Sequence, residues 1–68
     1  MTEQLLWTVT RKGVQWTCEL TSLEEPVGWE VTIRRAGLAV ANRFFRDRDT
    51  ALGWAAGHRD DVERGWLD

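Results

Sequence analysis

The 68-residue sequence contains few of the side chains on which common protein chemistries depend. Cys18 is the one cysteine and His58 is the one histidine. A single cysteine cannot form an internal disulfide, which suits a reducing compartment. One cysteine and one histidine are also too few for a zinc site, which takes three or four protein ligands. We therefore expect neither a bound metal nor a cofactor.

Long apolar runs are absent as well. No stretch approaches the ~20 apolar residues of a membrane-spanning helix. Residues 1–10 lack the basic start and the long apolar core of a signal peptide. We therefore expect a soluble, cytoplasmic protein.

The length predicts one small domain, residues 1–68. Its core is marginal, because so short a chain buries only about 60% of its unfolded surface. Five tryptophans compensate in part, since each can bury roughly 150–250 Å². Small size and many aromatic residues are compatible with self-association, and the sequence leaves a monomer and a homodimer open.

The first 45 residues contain four runs in which apolar and polar residues alternate, as is typical of half-buried strands. The runs are residues 4–10, 14–20, 29–35 and 38–45, with turns at 11–13 and 36–37. The alternation predicts these inward-facing residues: Leu5, Trp7, Val9, Val14, Trp16, Cys18, Leu20, Trp29, Val31, Ile33, Leu38, Val40 and Phe44. Asn42 falls among the inward positions, which indicates a sheet edge or a β-bulge there.

Residues 21–28 form the longest break between these runs. Pro26 and Gly28 argue against a central strand in this segment. We expect it to be the most mobile loop and a candidate contact for a partner.

Residues 47–66 have a clear helical period, with an arc of apolar residues on one side. Asp47 is the predicted N-cap and Asp49 the second choice. Gly65 is predicted to end the helix, and Trp66 to fold back onto the sheet. The fold class is therefore predicted as α+β, a four-stranded antiparallel meander (β-β-β-β-α) with one C-terminal helix packed on one face.

Candidate catalytic residues are few. His58 could act as a general base, although a half-buried packing histidine is the simpler interpretation. Cys18 lies at an inward position, where a thiol is usually unreactive. Asp60, Asp61 and Glu63 are clustered acids near the helix end, which we interpret as a solvated face. An enzyme that uses His58 is the least favoured hypothesis.

Gly53 and Gly57 lie four residues apart on the polar face of the predicted helix. Each costs about 1 kcal/mol relative to alanine. Together they leave a flat groove that another helix can approach. We consider both a dimer contact at these glycines and an exposed face without function.

Positive charge is concentrated in the middle of the chain. The net charge is −2, but residues 29–48 carry five arginines and two acids. The alternation predicts an outer sheet face of threonines with Arg34 and Arg43, ringed by Arg35, Arg46 and Arg48. Such a surface can accept phosphates, so nucleic acid is a possible partner. The acidic sequence pI of about 5.3 disfavours it.

Over nearly the whole chain, the order of four strands and a helix resembles the PC4-like transcription coactivators and the Whirly/PUR group of dimeric single-strand binders. The segment WEVTIRR-AG-LAVANRFF followed by DRDTALGWAAG also resembles AP2 and integrase arm-type DNA-binding domains. In those domains a strand-ending Phe precedes a capped helix with an Ala–Trp pattern. The matching residues here are Phe45, Asp47, Ala51 and Trp54.

These groups contact DNA with the sheet face, so the resemblance implies DNA contacts for Arg34 and Arg43. The chain departs from them because it is acidic and has one lysine. It also resembles short uncharacterised bacterial proteins with a Trp-rich sheet and a Gly-Trp ending, a likeness that implies no function. The leading interpretation is a small non-enzymatic interaction module, with a nucleic-acid-binding protein as the alternative.

Overall fold

The computed structural model describes residues 2–24 and 28–67, which form one sheet and one helix. The elements are β1 (Thr2–Arg11), β2 (Val14–Ser22), β3 (Trp29–Arg35), β4 (Leu38–Phe45) and α1 (Arg48–Glu63). The strands are antiparallel in the order β1-β2-β3-β4, and α1 packs on one face. The predicted α+β meander is confirmed.

The predicted break at 21–28 is shorter in the structure than in the sequence analysis. Thr21 and Ser22 belong to β2, and the backbone N–H of Leu23 donates to the carbonyl of Gly28 at 2.8 Å. Pro26, on which the prediction of a break relied, lies outside the described residues.

The β1–β2 and β3–β4 hairpins both close through two-residue turns; the turn at 36–37 is as predicted, whereas Arg11, predicted as part of the first turn, belongs to β1. Lys12 and Gly13 have φ values of 52° and 78°, and Ala36 and Gly37 have values of 51° and 83°. Two successive positive φ angles are typical of the type I′ turn, whose twist matches that of the flanking strands. The turns therefore set the register from which each hairpin begins.

The core lies between the sheet and α1. The sheet contributes large side chains and the helix contributes small ones, which lets the helix approach closely. The buried residues are Trp7, Trp16, Cys18, Leu20, Val31, Ile33, Ala51, Ala55 and Val62.

Both ends of α1 are capped as predicted. The Asp47 carboxylate accepts from the backbone N–H of Thr50 at 2.9 Å. At the other end Gly65 is left-handed, and the N–H groups of Gly65 and Trp66 donate to the carbonyls of Val62 and Asp61, both at 3.0 Å. This is the Schellman arrangement.

Trp66 does not fold back onto the sheet, and that prediction was wrong. Its side chain is 68% exposed, and the guanidinium of Arg64 lies 5.4 Å from its ring centroid. The helix end is instead tied to the sheet by Arg11, which donates to the carbonyl of Glu63 at 3.4 Å. A cation here also suits the negative end of the helix dipole.

A bulge in β1 changes the predicted facing of its first residues. Leu5 pairs with Glu19 but Trp7 pairs with Cys18, so one extra residue, Leu6, is accommodated between them. Leu5 consequently faces away from α1, against prediction, and Leu6 packs against the core.

A second bulge, at Val40, changes the facing of most of β4. Ile33 pairs with Ala41 and Arg34 with Ala39. Because side-chain direction alternates along a strand, the extra residue reverses the predicted sides of all residues from Ala41 to Phe45. Ala41 and Phe45 pack against the core, whereas Phe44 lies on the outer face opposite Glu30. The predictions of an inward Phe44 and an outward Arg43 were wrong.

None of the helices in the described residues is long and apolar enough to cross a membrane.

Candidate interaction surface along strand β4

The outer face of the sheet, which is turned away from α1, carries mixed charge. The register places Glu3, Glu19 and Glu30 on this face, together with Arg34. Arg34 donates from Nε to Glu19 at 2.8 Å. Its positive charge is therefore already compensated, and the predicted basic character of this face was wrong.

Asn42 also lies on the outer face and forms hydrogen bonds across the β3–β4 pair. Its side-chain nitrogen donates to Glu30 at 2.8 Å and to the hydroxyl of Thr32 at 2.9 Å. These bonds explain the polar residue that interrupts the apolar alternation. Asn42 was the signal in the sequence that the register of β4 shifts.

Two of the remaining arginines lie on the helix side, stacked on aromatic rings. Arg43 opposes buried Val31, and its guanidinium lies 5.6 Å from the centroid of Phe45. Arg35 lies 5.6 Å from the centroid of Trp16. A cation over an aromatic ring at this distance is attracted electrostatically by the ring.

Two more arginines follow at the start of α1. Arg48 lies 5.8 Å from the ring centroid of Trp29, which pairs directly with Phe45. Arg46 is exposed between β4 and α1. Among residues 2–24 and 28–67, no carboxylate forms an ion pair with any member of this group, which we name the arginine group: Arg35, Arg43, Arg46 and Arg48.

Strand β4 is an apolar edge of the sheet. Leu38, Val40 and Phe44 are 73%, 54% and 58% exposed. As an edge strand it also has backbone N–H and C=O groups that face away from β3. The opposite edge, β1, exposes one large hydrophobic residue, Leu5, at 60%. Three large apolar side chains are therefore exposed along β4, and all three had been predicted to face inward from the alternation of the sequence.

A cleft of about 230 Å³ opens on the helix side beside β4. Its walls combine residues from three strands, the helix and the segment that follows the helix. The lining residues are Trp16, Ile33, Arg35, Val40, Ala41, His58 and Leu67. Five of the seven are apolar, and the described lining includes no carboxylate, hydroxyl or thiol. The indole nitrogen of Trp16 is buried with no hydrogen-bond partner among the described residues.

His58, a half-buried residue of α1, lies on one wall of this cleft. Its Nδ1 is 3.3 Å from the carbonyl oxygen of Trp54, and the two ring centroids are 4.1 Å apart. Because a carbonyl only accepts, this contact favours a proton on Nδ1. None of the other lining residues is a nucleophile that His58 would activate.

The thiol of Cys18 is fully buried. Burial, reinforced by the nearby charge of Glu19, raises the pKa of Cys18 to about 11. The group is therefore protonated at neutral pH, where only the thiolate is nucleophilic. Among residues 2–24 and 28–67, no three potential ligands come together to hold a metal ion.

Gly53 and Gly57 are exposed on α1. A Cβ added at either position would meet nothing within 4 Å. The structure therefore places no packing demand on either glycine within the described chain.

Comparison with known proteins finds no match to this chain among family models, curated proteins or solved structures. The geometry of the β4 edge and its cleft is therefore the basis for the functional proposals.

Proposed function

We propose that this chain is a small non-enzymatic interaction module that binds an extended segment of another protein along β4. The observation that carries the proposal is the edge itself, with Leu38, Val40 and Phe44 all more than half exposed. Proteins commonly protect edge strands with charge, proline or a covering element, because unprotected edges pair with other chains. The apolar side chains of β4 suit a surface that another segment covers.

Strand addition would use both faces of β4. The backbone groups that face away from β3 would form the ladder, while side chains of the added strand alternate between the two faces. On the helix side they would meet Val40 and the mouth of the cleft. On the outer face they would meet Phe44. Affinity would come from the backbone, and selectivity from these two apolar contacts.

A library of short linear peptides panned against the immobilised protein tests this proposal. We expect enriched peptides that bind the native chain but lose at least about tenfold in affinity to V40D and F44S. The matched control is L5S, which removes an exposed apolar residue from the opposite edge strand. Equal binding to V40D, F44S and the native protein, or failure to enrich any peptide, would reject β4 as the binding edge.

Nucleic acid is the second candidate partner, favoured by the arginine group. Its four guanidiniums have no carboxylate partner within residues 2–24 and 28–67. Three of them lie close to the β4–α1 junction, where they can contact phosphates. In this second proposal the nucleic acid contacts the helix side of the sheet and the β4–α1 junction. Arg34 is not part of the surface, because Glu19 compensates its charge.

Fluorescence anisotropy with single- and double-stranded DNA and RNA at low salt tests this second candidate. R43A and R48A should each weaken binding and reduce its salt dependence by about one counterion. R34A is the matched control and should leave binding unchanged. No binding at low salt would eliminate nucleic acid as a partner.

A homodimer through Gly53 and Gly57 is a separate proposal, because it uses α1. The two surfaces can be tested independently.

A further inference from the structure

We propose that the cleft beside β4 binds a small carboxylic acid with an apolar body. This site lies next to the proposed partner surface but does not depend on it, because the ligand needs only the cleft walls. The argument rests on the size of the cleft, the chemistry of its lining and the position of one guanidinium.

The size of the cleft limits the ligand. Pockets for drug-sized molecules typically occupy roughly 300–1,000 Å³, whereas this one has about 230 Å³. A single ring with a short chain, or a branched aliphatic acid, is of the right order. A nucleotide or a longer peptide would project out of it.

The walls favour an apolar body. Trp16, Ile33 and Ala41 come from three adjacent strands, and Val40 and Leu67 complete the apolar part of the lining. Placing a ring or a branched chain against these surfaces removes apolar area from water, which is the general driving force for such sites. A fully polar anion would gain nothing from these contacts.

Arg35 supplies the polar end of the site. Its guanidinium lies over the ring of Trp16, 5.6 Å from the centroid, and has no carboxylate partner among the described residues. This contact with the ring restricts the side chain before any ligand arrives, so less entropy is lost on binding. A planar cation with two parallel N–H groups matches a carboxylate.

The lining also discriminates against other small molecules. Among the described residues it has one guanidinium and no acid, so an amine of the same shape would meet a like charge. A neutral alcohol would fill the apolar part without pairing with Arg35. The predicted order of affinity is therefore acid, then alcohol, then amine.

NMR titration of the ¹⁵N-labelled full chain with phenylacetate, 2-phenylethanol and 2-phenylethylamine tests the site. We expect phenylacetate to shift the resonances of the cleft residues, including the indole N–H of Trp16, with saturation. R35Q should weaken phenylacetate about tenfold, equivalent to ~1.4 kcal/mol, and should leave 2-phenylethanol unchanged. R43Q, which alters an arginine stacked on Phe45 outside the cleft, is the matched control and should leave both unchanged.

A second variant keeps the test valid if R35Q disturbs folding. V40E places a carboxylate at the mouth of the cleft on an already exposed residue, and it should compete with the acid for Arg35. Shifts that are scattered over the surface, an affinity for phenylacetate no higher than that for the amine, or unchanged binding in folded R35Q or V40E would each overturn the proposal. Failure here would leave the peptide-binding test of β4 unaffected.

Discussion

The indole N–H of Trp7 donates a hydrogen bond of 2.9 Å to the carbonyl oxygen of Ala55, in the buried space between β1 and α1. This bond crosses 48 positions of the chain and fixes where the helix lies over the sheet. It also satisfies the one polar atom that burial of Trp7 would otherwise leave unpaired.

Replacing Trp7 by phenylalanine should therefore destabilise the protein. The loss of the hydrogen bond contributes about 1 kcal/mol, and the smaller ring adds a packing term. Urea unfolding followed by circular dichroism measures the change. W66F is the control, because Trp66 is mostly exposed and its replacement should fall within about 0.5 kcal/mol of the native protein. Equal stability of the two variants would show that the Trp7 bond contributes nothing.

The elements of this fold could be predicted because each has a local signal. Alternation marks the four strands, two Gly-containing turns mark the hairpins, and Asp47 and Gly65 mark the ends of α1. Leu5 and Phe44 were predicted on the wrong face because each strand contains a bulge. A bulge depends on how two strands pair with each other. Local alternation contains no information about the partner strand, except where a residue such as Asn42 violates it.

The cleft was beyond prediction for a related reason. Trp16 and Leu67 are far apart in the sequence, and only the packed chain brings them to one site. The arginines illustrate the same limit, since Arg34 and Arg43 looked equivalent in sequence. In the structure one pairs with Glu19 and the other stacks on Phe45 on the opposite side of the sheet.

Because Asp47 caps α1, the stability of the protein should depend on pH in the acid range. Hydrogen bonds from the backbone N–H and the hydroxyl of Thr50 lower the pKa of Asp47 below its ordinary value of 3.8. The ionised carboxylate is thus favoured in the folded state. Its contribution is fully present above the unfolded pKa and is lost as the pH falls through the folded pKa.

The variant D47N tests this dependence, because an asparagine can still cap the helix but cannot ionise. We expect the native protein to be more stable than D47N at pH 6 and the difference to shrink below pH ~4. The measurement is urea unfolding at several pH values. D49N is the control, since Asp49 is in the first turn but is not the cap. A difference between native protein and D47N that stays constant down to pH 2.5 would contradict the assignment.

The buried thiol of Cys18 should make the protein less stable as the pH rises in the alkaline range. Burial raises the pKa of this thiol from 9.0 to about 11, so the unfolded chain ionises first. The stabilising contribution is complete below pH 9 and is lost as the pH rises towards 11. The slope from one such group is at most about 1.4 kcal/mol per pH unit.

The alkaline prediction can be measured cleanly because the chain has no tyrosine and one lysine. Urea unfolding between pH 8 and pH 11 should show declining stability in the native protein and a flatter profile in C18A. The folded protein should also resist a thiol-specific reagent at pH 8, and react at the rate at which it unfolds. Rapid modification of the folded chain would show that Cys18 is accessible.

Substitutions at the two exposed glycines of α1, Gly53 and Gly57, test the stability of the chain and its association separately. Neither has a positive φ, and an added Cβ would meet no neighbour, so G53A and G57A should each stabilise the protein by about 1 kcal/mol. For a domain of this size that corresponds to a rise in Tm of about 4–8 °C. G28A is the control with the opposite sign, because Gly28 has a φ of 98° and a Cβ there would overlap the carbonyl of Phe45.

The same positions test the homodimer through sedimentation equilibrium. If two helices meet at Gly53 and Gly57, then G53L and G57L should dissociate the dimer, although leucine is a better helix former than glycine. A dimer would thus lose association while each subunit gains helix propensity, a combination that no purely local effect produces. A native chain that sediments as a monomer at high concentration would exclude this contact.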